Sequence, residues 1–221
     1  MSQYAKNVCK KHLINNKNII FYMITIGIEL NHVIRNINKQ IVKYYSKEYD
    51  PSTDIDEIDD KEDVLETYAK FKSRYDKNNF LFIDYPYEIF GCANTMEKKL
   101  PSKITNWLTE ISNIEDKDIR IIFYSLNEEA LTIQSTFFFL SKIGTRVRKV
   151  IFPKSIDEVW DECDAIITAR NEFFEKGIPD GKKAVLINRP FNKEFKDKAI
   201  LNYDSLSDLI DDKNFFNEIT K

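Results

Sequence analysis

The sequence predicts an α/β protein built around a parallel sheet, and three observations support this. Short apolar runs rich in β-branched residues alternate with longer segments of helical period between residues 119 and 210. Strands that alternate with helices in this way form parallel βαβ units. An earlier run, residues 21–28, is continuously apolar, which is typical of a strand buried on both faces of a sheet.

The remaining elements follow from the spacing of apolar residues and from the positions of proline and glycine. After the first strand, Val33, Ile37 and Ile41 lie at helical spacing, and Gly144 stands where a glycine would end a long helix. We predict helices over 33–45, 64–75, 88–98, 102–112, 128–143, 156–163 and 206–210, and strands over 119–124, 147–152, 165–168 and 184–187.

The order of these elements predicts one domain with an insertion. Residues 1–22 form an amino-terminal extension or arm, of which residues 1–18 are polar and basic. Residues 23–36 and 113–221 form the α/β core, and residues 37–112 form a helical insertion between the first two core strands. A chain of 221 residues is long enough for this arrangement without a disulfide or metal to stabilise it.

Composition narrows the functional classes. The net charge of −3 and pI of about 5.6 give no overall attraction to nucleic acid. The three cysteines, Cys9, Cys92 and Cys163, are an odd number and widely spaced, which indicates free thiols in a reducing compartment. We expect no membrane span and no signal peptide, because the apolar runs are too short and no cleavage site follows the first one.

Polar residues follow the predicted strands at the edge where α/β proteins bind ligands. Glu29 and Asn31 come after the first strand, and Ser125 comes after the strand at 119–124. Lys154 follows the next strand, and Thr168 ends the one after it. These five positions are the candidate site.

Their order and spacing resemble the haloacid dehalogenase superfamily, in particular its nucleotidase-like branch with a helical cap. In that family the first strand ends in Asp-x-Asp, usually followed by Gly-Val. A Ser or Thr, a Lys and a pair of acids then follow later strands. The resemblance covers roughly residues 23–210 and implies a Rossmann-like core with a parallel sheet and a helical cap between the first and second motifs.

Carried over by position, the first Asp falls on Glu29, the second on Asn31 and the glycine on His32, while Val33 matches the family's valine. Ser125 matches the second motif. Lys154 matches the third, with Lys149 or Lys142 as alternatives, and the two acids of the fourth motif fall on Thr168 and Ala169.

These departures imply that the catalytic chemistry of the family is missing. The family's first Asp attacks phosphorus, and Glu29 is one methylene longer. Asn31 cannot exchange a proton as the second Asp does, and Thr168 and Ala169 supply no carboxylate for magnesium. We therefore expect no catalytic residue among Glu29, Asn31, Ser125, Lys154 and Thr168, and no cofactor. Magnesium is expected only if the chain is an enzyme after all.

For several side chains, the sequence allows two interpretations each. His32 is either a substitute acid/base or a hydrogen-bonded histidine after a strand. Ser125 and Lys154 either bind an anion or serve as a helix cap and a solvated lysine. The run Phe137-Phe138-Phe139-Leu140 places aromatic groups on several faces of one helix, as in a buried helix or at an interface.

The expected function is a non-catalytic structural or interaction subunit of a larger assembly, oligomeric through protein contacts. A bias toward residues with AT-rich codons favours a phage head–tail or tail component, and hence the virion or the cytoplasm. The alternatives are a divergent nucleotidase or phosphatase that uses Glu29, and a module that binds phosphate or nucleotide at Ser125 and Lys154 without turnover.

Overall fold

The computed structural model describes residues 23–49, 61–65, 74–112 and 119–220. Six strands form the main sheet, and two more form a short antiparallel pair. The main strands are β1 Ile24–Glu29, β4 Ile119–Tyr124, β5 Val150–Ile151, β6 Ala165–Thr168, β7 Lys183–Ile187 and β8 Leu201–Tyr203; the short pair is β2 Arg35–Asn36 and β3 Asn94–Thr95.

Helices connect these strands. The α-helices are α1 Ile37–Glu48, α2 Arg74–Asn79, α3 Leu100–Ser112, α4 Ala130–Ile143, α5 Ile156–Glu162, α6 Glu172–Glu175, α7 Leu206–Asp211 and α8 Phe215–Thr220. Two π-helical turns, Phe80–Asp84 and Tyr87–Gly91, and a 3₁₀ segment, Pro190–Lys198, complete the set in the described residues. None of the described helices is long and apolar enough to cross a bilayer.

The main sheet runs in the order β5-β4-β1-β6-β7-β8, and all its neighbouring strands are parallel. Alternate residues of a strand enter apolar clusters on opposite faces. In β4, Phe123 packs in one cluster and Ile122 in the other; in β7, Val185 and Leu186 divide in the same way. A parallel sheet buried on both faces confirms the predicted α/β fold class.

Strand β1 lies inside the sheet, which extends to β4 and β5 on one side and to β6, β7 and β8 on the other. β4 pairs along one edge of β1 and β6 along the other. The crevice beyond the carboxyl ends of three such strands is where open α/β sheets bind ligands. The fold therefore brings the ends of β1, β4 and β6, which carry Glu29, Ser125 and Thr168, to one place.

The described residues between β1 and β4 are largely helical. They have their own apolar cluster, and the π-helical turns among them pack against α4. The cluster contains Ile37, Ile41, Val42, Tyr45, Val64, Leu65, Phe80, Ile89 and Phe90. The proposed boundary of a separate cap at residues 37–112 stays a prediction.

The helix predicted over 33–45 begins later, at Ile37. His32 takes a left-handed backbone conformation with φ of 64°, and Arg35 and Asn36 pair with β3 instead. The Asn36 side chain then accepts a hydrogen bond from the Lys39 N–H at 3.2 Å, which caps α1. A polar cap thus sets the start of the helix.

The helix predicted over 88–98 is wrong. A π-helical turn ends at Gly91, and the chain then enters β3. A β-carbon built on Gly91 would lie 3.2 Å from the Ser135 carbonyl oxygen of α4. This glycine therefore permits a close approach of two backbones.

The other secondary-structure predictions have mixed outcomes. The strand over 165–168 and the Gly144 cap, with φ of 68°, are confirmed. The strand predicted over 147–152 shortens to β5, and β8 was not predicted. The arm at 1–22, which includes the start of the first predicted strand, and most of the predicted helix over 64–75 lie outside the described residues.

Candidate functional site

The carboxylate of Glu29 is enclosed at the end of β1. Its Oε2 accepts hydrogen bonds from the Thr168 hydroxyl at 2.5 Å and from the Ala169 N–H at 3.3 Å. Its Oε1 accepts one from Nε of Arg170 at 3.1 Å, and the side chain has no exposed surface. Both oxygens of the group at the nucleophile position are therefore bonded within the protein.

Arg170 lies between two carboxylates. Its Nε bonds Glu29, and its Nη1 is 3.6 Å from Oε1 of Glu62, a residue of the segment between β1 and β4. Burial lowers the pKa of Arg170, but the charges of Glu29 and Glu62 outweigh that effect and leave the pKa raised. Arg170 is therefore a fixed cation at this edge of the sheet.

Glu62 also contacts the core backbone. Its Oε2 accepts a hydrogen bond from the Asn171 N–H at 3.1 Å. Burial raises the pKa of the Glu62 carboxyl to about 7, although Arg170 and this hydrogen bond act in the opposite direction. Near neutral pH, Glu62 therefore exists in both protonation states.

Asn31 is part of a second buried network, which is centred on Arg35. Its Oδ1 accepts hydrogen bonds from Nε and Nη2 of Arg35 at 2.9 and 2.7 Å, and its Nδ2 donates to the Ser125 hydroxyl at 3.3 Å. Ser125 has no exposed surface. Asn31 and Ser125 are therefore bonded to Arg35 and to each other.

The rest of the Arg35 guanidinium is also satisfied. Nη2 lies 2.5 Å from Oε1 of Glu128, and Nη1 donates to the Thr136 hydroxyl at 2.6 Å and the Phe90 carbonyl at 3.1 Å. Arg35 is fully buried and Glu128 is 1% exposed. A buried ion pair of this kind is tolerated when hydrogen bonds complete both partners, as they do here.

The His32 imidazole lies at the surface of this site with few polar contacts. The residue is 7% exposed, and its ring meets Phe191 edge-on with centroids 5.6 Å apart. Burial lowers its pKa to about 3, with help from Arg170, Arg189 and Arg35. The imidazole is therefore neutral at neutral pH, and no hydrogen bond joins its ring to a described residue.

The predicted lysine lies beside the Arg35 network rather than in a free pocket. Lys154 Nζ donates to the Glu128 carbonyl at 2.9 Å. The alternatives lie elsewhere: Lys149 pairs with Glu162, and Lys142 Nζ donates to the Ala93 carbonyl at 2.7 Å. Of the three, Lys154 alone bonds the residue that pairs with Arg35.

A cavity of about 560 Å³ opens between the core and the helical segment. Asn31, His32 and Arg170 line it, whereas Glu29, Ser125 and Thr168 are not among its described lining residues. A ligand in this cavity would meet Arg170 and His32 before it could reach Glu29. The geometry thus separates the cavity from the nucleophile position.

The donor set does not fit magnesium. Magnesium requires several oxygen ligands in octahedral geometry, usually including carboxylates. Glu29 is already paired with Arg170, and of the two fourth-motif positions only Thr168 has a side-chain oxygen, a hydroxyl that donates its proton to Glu29. In the described part of the chain, no three His, Cys, Asp or Glu residues form a cluster suited to a metal ion.

The five predicted positions do lie at one edge of the sheet, but the sequence did not predict their hydrogen-bond and ion-pair partners. The structure brings Glu29 to Thr168 and Asn31 to Ser125. Lys154 is connected to the second pair alone, through Glu128 and Arg35. Arg170, two residues beyond the end of β6, could have been found as a cation directly after the two positions where the resemblance implies acids. No sequence pattern singles out Arg35, Glu128 or Glu62.

Comparison with known proteins gives evidence at the level of the fold. No protein-family model matches the sequence, and no curated protein matches it. A solved structure from Burkholderia xenovorans LB400, provisionally named a haloacid dehalogenase-like hydrolase, aligns with a TM-score of 0.51 at 11% identity. The alignment covers 87% of this chain and 97% of that one. The chain therefore has the fold of a haloacid dehalogenase-like hydrolase.

Proposed function

We propose that this chain is a non-catalytic protein of the haloacid dehalogenase type, which serves as an interaction subunit of a larger assembly. The observation that carries the proposal is the buried ion pair between Glu29 and Arg170. A carboxylate that is neutralised and has no exposed surface is not available to attack phosphorus. The amino-acid bias of the sequence favours a phage particle as the assembly.

The other catalytic groups that the resemblance implies are also absent or engaged. Asn31 has no proton to exchange, and both ends of its amide are hydrogen-bonded to Arg35 and Ser125. Arg170 supplies positive charge beside Glu29 without a metal ion. Turnover would require this guanidinium to move away and expose Glu29, which would leave a buried charge unpaired.

An exposed apolar surface on α4 supports a role in protein contacts. Leu131, Phe137 and Phe138 are 49%, 51% and 43% exposed. Phe138 contacts the exposed Tyr87 with ring centroids 5.0 Å apart, so the surface extends from α4 to the second π-helical turn. Large apolar side chains grouped on a surface are typical of protein interfaces. We call these four residues the α4 surface.

The catalytic part of the proposal is tested by turnover of a panel of nucleoside monophosphates with magnesium. We expect the native chain and Glu29→Ala to be equally inactive. Magnesium-dependent turnover that disappears in Glu29→Ala would instead establish the divergent phosphatase.

The interaction part is tested by light scattering coupled to size exclusion at several protein concentrations. We expect the native chain to self-associate, and Leu131→Ser/Phe138→Ser to reduce association. Ile200→Ser, which changes a residue 45% exposed outside the α4 surface, is the matched control. A native protein that stays monomeric and does not associate with proteins co-purified from its own source would contradict this part.

A further inference from the structure

The cavity of about 560 Å³ has the size of a small-molecule site, since such sites usually measure 300–1,000 Å³. Much of its wall is apolar. Ile37 and Ile41 of α1, Leu81 and Phe82 of the first π-helical turn, and Phe90 of the second contribute to it. Phe82 and Phe90 stack with centroids 6.2 Å apart. This wall suits a flat or branched apolar group.

The charged residues around the cavity are mostly acidic. Its lining contains four carboxylates, Glu62, Asp63, Glu172 and Glu175, against two cations, Lys61 and Arg170. Arg170 is already held by Glu29 and Glu62. No ion pair joins Glu175 to another described residue. Asp63 and Glu172 are paired with Lys77 and Lys176, which lie outside the lining, whereas Glu62 and Glu29 share Arg170. The charge left for a ligand, around Glu62 and Glu175, is therefore negative, which disfavours a phosphate and favours a cation.

His32 adds a polar group that lacks a partner. Its ring lies in the cavity wall, is almost fully buried, and forms no hydrogen bond with a described residue. A neutral imidazole has one donor nitrogen and one acceptor nitrogen, and neither is fully enclosed, so both can be reached from the cavity. An N–H group of a ligand would satisfy the acceptor nitrogen.

We propose that this cavity binds a small organic cation, a protonated amine attached to an apolar or aromatic body. The apolar body packs against the wall that contains Phe82 and Phe90, and the ammonium group lies toward Glu62 and Glu175. Aromatic rings also attract cations directly. The inference rests on the proposed function in one respect: a metal ion at Glu29 would add positive charge beside Arg170 and weaken the binding of a cation.

Three probes of nearly equal shape test the sign of the charge. Tryptamine is a cation, tryptophol is neutral and indole-3-propionate is an anion; phenyl phosphate is added as a phosphate probe. Calorimetric titration of the full chain is expected to give tryptamine an affinity at least about tenfold higher than that of any other probe. A tenfold ratio corresponds to about 1.4 kcal/mol.

Variants locate the site. Glu62→Gln is expected to weaken tryptamine binding about tenfold and to leave tryptophol binding unchanged, with Glu175→Gln as a second, exposed position. Leu81→Trp, which fills part of the cavity, is expected to weaken both probes. Glu110→Gln removes an exposed carboxylate on α3 that does not line the cavity, and no binding change is expected for it.

Several results would overturn the inference. These are tighter binding of the anion or of phenyl phosphate, equal binding of tryptamine and tryptophol, no binding of any probe at millimolar concentration, and tryptamine binding that both Glu62→Gln and Glu175→Gln leave unchanged. The proposed function fails separately, through magnesium-dependent turnover that Glu29→Ala abolishes.

Discussion

Nε of Arg170 lies 3.1 Å from Oε1 of Glu29, and the Glu29 side chain is fully buried. Glu29 ends β1, and Arg170 lies two residues beyond the end of the neighbouring strand β6, so the pairing of these strands brings the two side chains together. Positive charge beside the first-motif carboxylate is thus supplied by the chain itself. The proposed non-catalytic function depends on this relationship.

Removal of the guanidinium is expected to destabilise the fold. Arg170→Met leaves Glu29 buried without its cation, and breaking a buried pair from one side typically costs about 3–5 kcal/mol. Urea unfolding followed by circular dichroism measures the loss. The double variant Glu29→Gln/Arg170→Met is expected to recover much of it, because the fully buried carboxylate is then gone as well.

A surface pair provides the control for that experiment. Lys176 and Glu172 lie one helical turn apart at 2.8 Å and are both exposed. Lys176→Met is expected to change the free energy of unfolding by less than about 0.5 kcal/mol. If Arg170→Met costs no more than Lys176→Met, the Glu29 pair is not the constraint described here.

Stability should depend on pH through Glu62. Its pKa in the folded protein is about 7, above the ordinary value of 4.5, so between these pH values the fold retains a proton that the unfolded chain has lost. This contribution is complete below about pH 4.5 and is lost as the pH rises to 7. Glu62→Gln is expected to remove a decline of about 2–3 kcal/mol across that range, measured by urea unfolding at each pH. Parallel curves for the two proteins would contradict this assignment.

Gly27 permits β1 to pack closely against the face of the sheet that helix α5 covers. A β-carbon at this position would lie 2.6 Å from Sγ of Cys163 and 3.2 Å from the Tyr124 ring. Gly27→Ala is expected to cost about 1–3 kcal/mol, the usual range for overpacking a core. In Gly27→Ala/Cys163→Ala the sulfur is gone, and thermal unfolding should show a smaller loss than the two single changes combined.

Cys163 should be chemically inert in the folded protein. The residue is 1% exposed, and burial raises the pKa of its thiol to about 12, further from thiolate at neutral pH. In a variant with Cys9→Ser and Cys92→Ser, we expect Ellman's reagent to label Cys163 only in denaturant. Rapid labelling at neutral pH without denaturant would show that the β1–α5 packing opens readily.

Local sequence signals predicted the elements whose formation depends on their own residues. The β6 strand is a short apolar run, and α4 ends at a glycine, so both were predictable. The helix expected over 88–98 failed because Gly91 meets the backbone of α4, a contact more than forty residues away along the chain. Residue spacing carries no information about such a contact.

The same difference between local signals and long-range contacts applies to the candidate site. Glu29, Ser125 and Thr168 converge because parallel strands end at one edge, and that rule can be applied to a sequence. Arg35 was placed in a helix after β1, and only the fold shows it in β2, bonded to Glu128 across 93 residues. A pairing of that range depends on how the segment between β1 and β4 packs on the core.

The Arg35 network also bears on how the protein unfolds. One guanidinium is bonded to Asn31 after β1, to the Phe90 carbonyl in the helical segment and to Thr136 on α4. Separating that segment from the core would leave the buried Arg35 guanidinium without some of its hydrogen-bond partners, at a cost of several kcal/mol. Core and segment should therefore lose protection against hydrogen exchange together, as one cooperative unit.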